Sequence, residues 1–203
     1  MRVYTLQPVN VLHTLQRGEL YRPDPNLCRA EGFLSNDESL WRAYRWMAGR
    51  LALQHPPPIP EALPVWVWVT FNRRSPNPDL RRHHPVTAGL LLELEVDDDR
   101  VLLSDFDGWH AALNGCFLGS ETEVTAFESQ CDQKGYGPAG FWQDEDMRQQ
   151  VTGSWLRCLD LDWCDPFWHG ADTETRKTQG ILWELRPEDV KASRIYRGWP
   201  SGR

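Results

Sequence analysis

Ser104, Asp105, Asp107 and His110 follow directly on the apolar run Val101–Leu103, which reads as a buried strand. A hydroxyl, two carboxylates and an imidazole thus gather where a strand gives way to a helix. Polar side chains at such junctions tend to form sites. Ser104 suits the helix cap, which leaves both Asp side chains by the positive end of that helix. Asp107 and His110 are three positions apart and share a helix face. They can form an acid–base pair, the carboxylate orienting the imidazole. The structural alternative is an N-capped helix with acids in its first turn and a His that does no chemistry.

Two further groups carry chemistry-bearing side chains. Asp160, Asp162, Asp165 and His169 include the D-x-D spacing that can offer oxygens to a hard cation. The Gly and terminal Glu of a calcium loop are missing there, so no metal is expected and a solvated loop is the default. Arg73, Arg74, Arg81, Arg82, His83 and His84 lie in a Pro-rich segment and can clamp phosphates, or can simply be a solvated loop. The chain has no G-x-x-x-x-G-K, no G-x-G-x-x-G and no G-x-S-x-G. P-loop enzymes, Rossmann dehydrogenases and serine hydrolases of the usual kind recede accordingly. The 11 Trp either pack and anchor loops or present a stacking surface for a base, sugar or nicotinamide ring.

Composition sets outer bounds. The 203 residues fit one domain spanning 1–203, large enough to bury a core without disulfide staples. Hydrophobic residues make up 40% and charged residues 25%, as in folded soluble proteins. A net charge of −7 argues against a broad phosphate-tracking surface, although a local basic patch remains compatible with it and nucleic acid stays open as a partner. Five scattered Cys, an odd number without C-x-x-C, fit a reducing cytoplasm. No apolar run reaches transmembrane length and no apolar leader opens the chain, so no membrane partner is expected.

The elements that must position these groups follow from periodicity and punctuation. Arg2–Gln7 reads as a strand, and Pro8 starts a helix ended by Gly18. Leu20–Asn26 reads as a loop. Ser35 and Glu38 make a capping box for a helix carrying Leu40, Trp41, Tyr44, Met47 and Leu51 on one face. Pro64–Phe71 is a strand with Trp66 and Trp68 on one side and Val65, Val67 and Val69 on the other. A loop over 72–85 precedes strands over 88–96 and 100–104, joined by a turn at Asp97–Asp99. Helices follow over 105–113, after the Ser120–Glu123 capping box, and over 144–159. Strands over 179–185 and 192–196 close the chain. This order predicts an α+β domain with a mixed, twisted sheet split around a cleft and flanked by helices.

Four stretches carry a resemblance: Arg2-Val-Tyr-Thr-Leu-Gln-Pro8, Pro64-Val-Trp-Val-Trp68, Val101-Leu-Leu-Ser-Asp-Phe-Asp-Gly-Trp-His110 and Gln179-Gly-Ile-Leu-Trp-Glu-Leu185. In this order they resemble a bacterial family known as domain of unknown function 3841. More distantly, the opening strand, its helix and Gln16-Arg-Gly-Glu-Leu20 are similar to the start of ADP-ribosyltransferase-type domains. That likeness implies an enzyme that takes NAD as substrate and moves ADP-ribose to a macromolecule or small acceptor. Thr5 or Gln7 stands where such domains carry a His or Arg, Trp68 or Thr70 at the middle strand position, and Gln179 or Glu184 at the late one. The implied roles are Gln7 and Trp68 positioning the nucleotide, Arg73 or Arg74 meeting its pyrophosphate, and Glu184 as catalytic carboxylate. Asp107 and His110 would line or support the same cleft. The rival expectation is a binding module without catalysis, holding a nucleotide, a small molecule, a nucleic-acid end or a protein in a Trp-lined cleft.

Overall fold

A computed structural model describes residues 1–31, 38–70, 88–137, 139–170 and 176–197. Six strands, β1 (Arg2–Gln7), β2 (Val65–Thr70), β3 (Gly89–Glu95), β4 (Leu102–Asp105), β5 (Thr178–Leu182) and β6 (Val190–Tyr196), form one sheet of order β4-β5-β2-β1-β3-β6. Seven α-helices occur among the described residues: α1 (Asn10–Gln16), α2 (Pro25–Glu31), α3 (Glu38–Ala52), α4 (Phe106–Leu113), α5 (Glu121–Gln133), α6 (Glu145–Ser154) and the single turn α7 (Pro166–His169). The fold is α+β, as the sequence predicts.

The sheet is antiparallel at every pairing rather than mixed. Each helical excursion returns to the end of the sheet it left, so the next strand runs back along its neighbour. No crossover to a parallel neighbour is needed. The split is visible at the centre. β1 and β3 run in register over six residue pairs, whereas β1 meets β2 at the single pair Tyr4↔Trp68. A side chain spans this seam: Thr5 Oγ1 donates to the Trp66 carbonyl at 2.7 Å, and Gln7 Nε2 donates to Thr5 Oγ1 at 2.8 Å.

Strand alternation builds two cores. On one face Trp66, Leu102 and Ile181 pack with Met47, Leu51, Trp109, Trp155 and Val151 from the helices. On the other, Val3, Val65, Val67, Leu90, Leu92 and Leu182 pack with Val11 and Leu15 of α1. Each fully buried aliphatic side chain contributes about 1.5–3 kcal/mol of transfer free energy. Trp66 stacks on Trp109 with ring centroids 4.7 Å apart, and Tyr44 meets both rings edge-on.

Several boundaries differ from expectation for physical reasons. Pro25 opens α2 rather than lying in a loop, and the Asp24 carboxylate accepts the Asn26 N–H at 2.9 Å. This is the helix start that Pro favours, its missing N–H being unneeded there. The stretch expected as one helix over 144–159 is α6 followed by a tighter 3-10 segment, Trp155–Leu159. β5 ends at Leu182, and Leu185 instead makes an isolated bridge to Tyr21. The Ser120 and Glu123 capping box forms as predicted. Ser35 and the loop bearing Arg73, Arg74, Arg81, Arg82, His83 and His84 lie outside the described residues.

Candidate functional site at the sheet seam

Ser104, Gln179, Trp68 and Tyr4 form one row across β4, β5, β2 and β1, each directly opposite the next. Directly opposed residues of antiparallel strands project to the same face, with Cβ atoms about 4.5–5.5 Å apart. Trp66 lies two residues before Trp68 on that face. Ser104 is 1% and Gln179 5% exposed. The Ser104 hydroxyl, the Gln179 Nε2 and the Trp66 indole Nε1 are all buried without a hydrogen-bond partner. A fourth such atom, Trp46 Nε1, belongs to α3, where the ring abuts Trp155. Each orphaned polar group costs about 1–3 kcal/mol of lost hydration, so three on one sheet face call for a reason.

Ser104 is orphaned because the helix cap sits one residue later than predicted. Asp105, not Ser104, caps α4: its Oδ1 accepts the Gly108 N–H at 2.7 Å. The same carboxylate accepts from His169 Nε2 at 3.1 Å and from Arg176 Nε and Nη2 at 3.3 and 3.2 Å. Asp105 and His169 side chains are 2% and 0% exposed. His169 Nδ1 lies 3.0 Å from both the N–H and the carbonyl of Asp165, which holds the ring with Nε2 facing Asp105. Arg176 also donates to the Leu161 carbonyl at 3.0 Å. Asp105 is therefore a saturated clamp, tying α4 to the segment that carries α7 and leads into β5. Burial, and after it the Asp105 charge, push the Cys158 thiol up to about 12, which keeps it protonated beside the clamp. Gly108 permits this contact, since a Cβ there would come within 3.1 Å of Cys158 Cβ.

The acid-and-His group expected as a solvated loop is dispersed into local roles. Asp160 Oδ1 accepts the N–H groups of Asp162 and Trp163, Asp165 caps α7, and His169 belongs to Asp105. Among the described residues no three His, Cys, Asp or Glu side chains gather as metal ligands would.

The residues singled out from sequence do not meet at one place. Trp68 is half-buried on the helix-covered face, leaning on Phe106 at 4.9 Å between ring centroids. Gln7 projects to the opposite face and is tied to Thr5, because it stands an odd number of residues from Tyr4 along β1. Gln7 and Trp68 therefore do not face one ligand together. Asp107 and His110 do not pair. His110 Nδ1 bonds the Phe106 carbonyl at 2.8 Å and its ring lies over Phe106 at 4.1 Å, while Asp107 makes no hydrogen bond or ion pair among the described residues. Glu184 lies past the end of β5, held by Arg22 Nε at 2.9 Å and Arg186 Nε at 3.0 Å. It borders a separate cavity of about 270 Å³ that His55, Arg100 and Trp183 also line. Arg73 and Arg74 lie outside the described residues.

Burial raises the Glu184 carboxyl, but the two arginines outweigh it and leave it below its ordinary value. Hydrogen bonds from Arg157 and from the Ser120 cap hold Glu123 at about 2. Depressed carboxylates stabilise the fold above their unfolded values and lose that contribution as pH falls through the folded ones. The urea midpoint should accordingly be level above about pH 5 and drop steadily towards pH 3. A midpoint that stays level down to pH 3 would contradict these pairings.

The chain belongs to the family described as Domain of unknown function (DUF3841), whose pattern matches residues 2–191. No curated protein and no solved structure matches the chain. No described helix is long and apolar enough to cross a membrane.

Proposed function

We propose that this chain is a ligand-binding domain of ADP-ribosyltransferase-like layout, holding a nucleotide such as NAD or ADP-ribose against the Trp68 face of the split sheet. The observation that carries this reading is the trio of buried, unpartnered atoms Ser104 Oγ, Gln179 Nε2 and Trp66 Nε1. An indole N–H and an amide NH2 can only donate, and a hydroxyl can donate as well. The ligand must bring acceptors, as the carboxamide oxygen of nicotinamide or the ring nitrogens of a base do. Trp68 supplies an aromatic surface beside them, and stacked bases gain about 1–3 kcal/mol on such surfaces.

The resemblance supplies three strand positions, on the first, middle and late strands. Trp68 and Gln179, candidates for its middle and late positions, share one row; its first-strand candidates Thr5 and Gln7 project to the opposite face, and Tyr4 stands in that row instead. The late position carries an amide rather than a carboxylate, and an amide has no negative charge to stabilise an oxocarbenium ion. Glu184, the other candidate there, is committed to Arg22 and Arg186. The reading is therefore binding without NAD cleavage, and with no transfer proposed, no acceptor is proposed.

Calorimetric titration with NAD, ADP-ribose and AMP, alongside an assay of nicotinamide release, tests it. Saturable binding of at least one of them with no release is the expected result. Absence of binding by all three up to millimolar concentration overturns the ligand class, and sustained nicotinamide release overturns the non-catalytic reading.

A further inference from the structure

We infer that a second binding site, for a small organic cation with an apolar body, lies in the groove between α5 and the 3-10 turn Gly140–Gln143. This groove has a volume of about 800 Å³, within the range of small-molecule pockets. Phe127, Phe141, Trp142 and Trp168 line it, and the exposed carboxylates of Glu128 and Asp132 stand on its α5 side.

The polar groups of the lining decide what it takes. Trp168 Nε1 is spent on the Gly119 carbonyl at 2.6 Å, and the Tyr136 hydroxyl on Asp144 at 3.0 Å. Asn114 Nδ2 is spent on the His110 carbonyl at 2.8 Å. Glu128 and Asp132 remain, one turn apart on α5, without an ion pair among the described residues. Among the described residues no Lys, Arg or His lines the groove. Burial and then the nearby acids raise both lining thiols, Cys116 by Glu128 and Cys131 by Asp132 and Glu128 with Lys134 partly offsetting them, in keeping with the carboxylates on this side of the groove. An anion or phosphate meets repulsion here. An ammonium gains two carboxylates and aromatic faces of the kind that attract cations. Trp142 already carries one cation, Arg42, which lies over its ring at 3.9 Å and is not part of the lining. The seam site offers donors and this groove offers acceptors, so the two select opposite ligand chemistries and stand independently.

The test is calorimetric titration with phenethylammonium, 2-phenylethanol and phenylacetate, on the unmodified protein and on Glu128→Gln with Asp132→Asn. Both substituted positions are exposed on α5, and a melting curve checks that the double variant folds. Phenethylammonium should bind more tightly than the alcohol, with phenylacetate weakest. The double substitution should weaken the ammonium about fivefold to tenfold and leave the alcohol unchanged. No binding of phenethylammonium at millimolar concentration, phenylacetate binding as well as the ammonium, or an unchanged ammonium affinity in the double variant would each overturn the proposal.

Discussion

Asp105→Ala is expected to lower the melting temperature by about 6–20 °C. Removing one partner of a buried charged pair costs about 3–5 kcal/mol, because the remaining charge stays desolvated and unpaired. In a domain of this size each kcal/mol moves the midpoint by about 2–4 °C. The substitution strands Arg176, whose side chain is 19% exposed, and it also orphans the buried His169 Nε2 and the Gly108 N–H. It further removes the cap of α4, so the helix and the segment leading to β5 lose a shared anchor. Asp105→Asn keeps the size and one acceptor and should fall between the two. Asp107→Ala is the control. That side chain is half-buried in the first turn of α4 and contributes only a helix-dipole term of about 0.3–1 kcal/mol. A shift for Asp105→Ala no larger than for Asp107→Ala would show that the clamp carries no weight.

Ser104→Ala combined with Gln179→Met should behave oppositely, leaving the empty protein as stable as before or more so. Both polar atoms are unpartnered, so apolar groups of similar shape remove a desolvation cost rather than a bond. Ligand affinity should fall at the same time. Each hydrogen bond to a ligand contributes about 0.5–1.5 kcal/mol, which puts the combined loss at roughly fivefold to 150-fold. Stability and binding are thus predicted to move apart at these positions. Loss of stability together with unchanged affinity would assign both side chains to the fold alone.

Much of the architecture can be read from residue patterns. The alternation of β2 correctly places Trp66 and Trp68 on one face, and the spacing of Trp41, Met47 and Leu51 correctly buries one side of α3. What alternation cannot give is the register between strands. It puts Thr5 and Gln7 on one face of β1 and Tyr4 on the other, but only the Tyr4↔Trp68 pairing decides which of them shares a face with the indoles. A slip of one residue would reverse the answer. The partners of Asp105 were out of reach for another reason. His169 and Arg176 stand 64 and 71 residues away, with no local spacing to link them to it. The strand–helix junction was legible as a polar cluster, yet its leading carboxylate proves to hold the fold together. The uncommitted groups are its neighbour Ser104 and the more distant Gln179. The Ser104 hydroxyl is free only because the cap moved by one position, a shift that two adjacent cap-forming residues do not reveal.

Nitrogen-15 NMR of the indole and side-chain amide groups, recorded while ADP-ribose is added, addresses the seam site itself. The Trp66 indole and Gln179 amide signals should shift and exchange more slowly with water as they gain acceptors, while the Trp155 indole, already bonded to the Cys116 carbonyl at 2.8 Å, stays in place. Saturable binding that leaves the Trp66 and Gln179 signals unmoved would contradict the account.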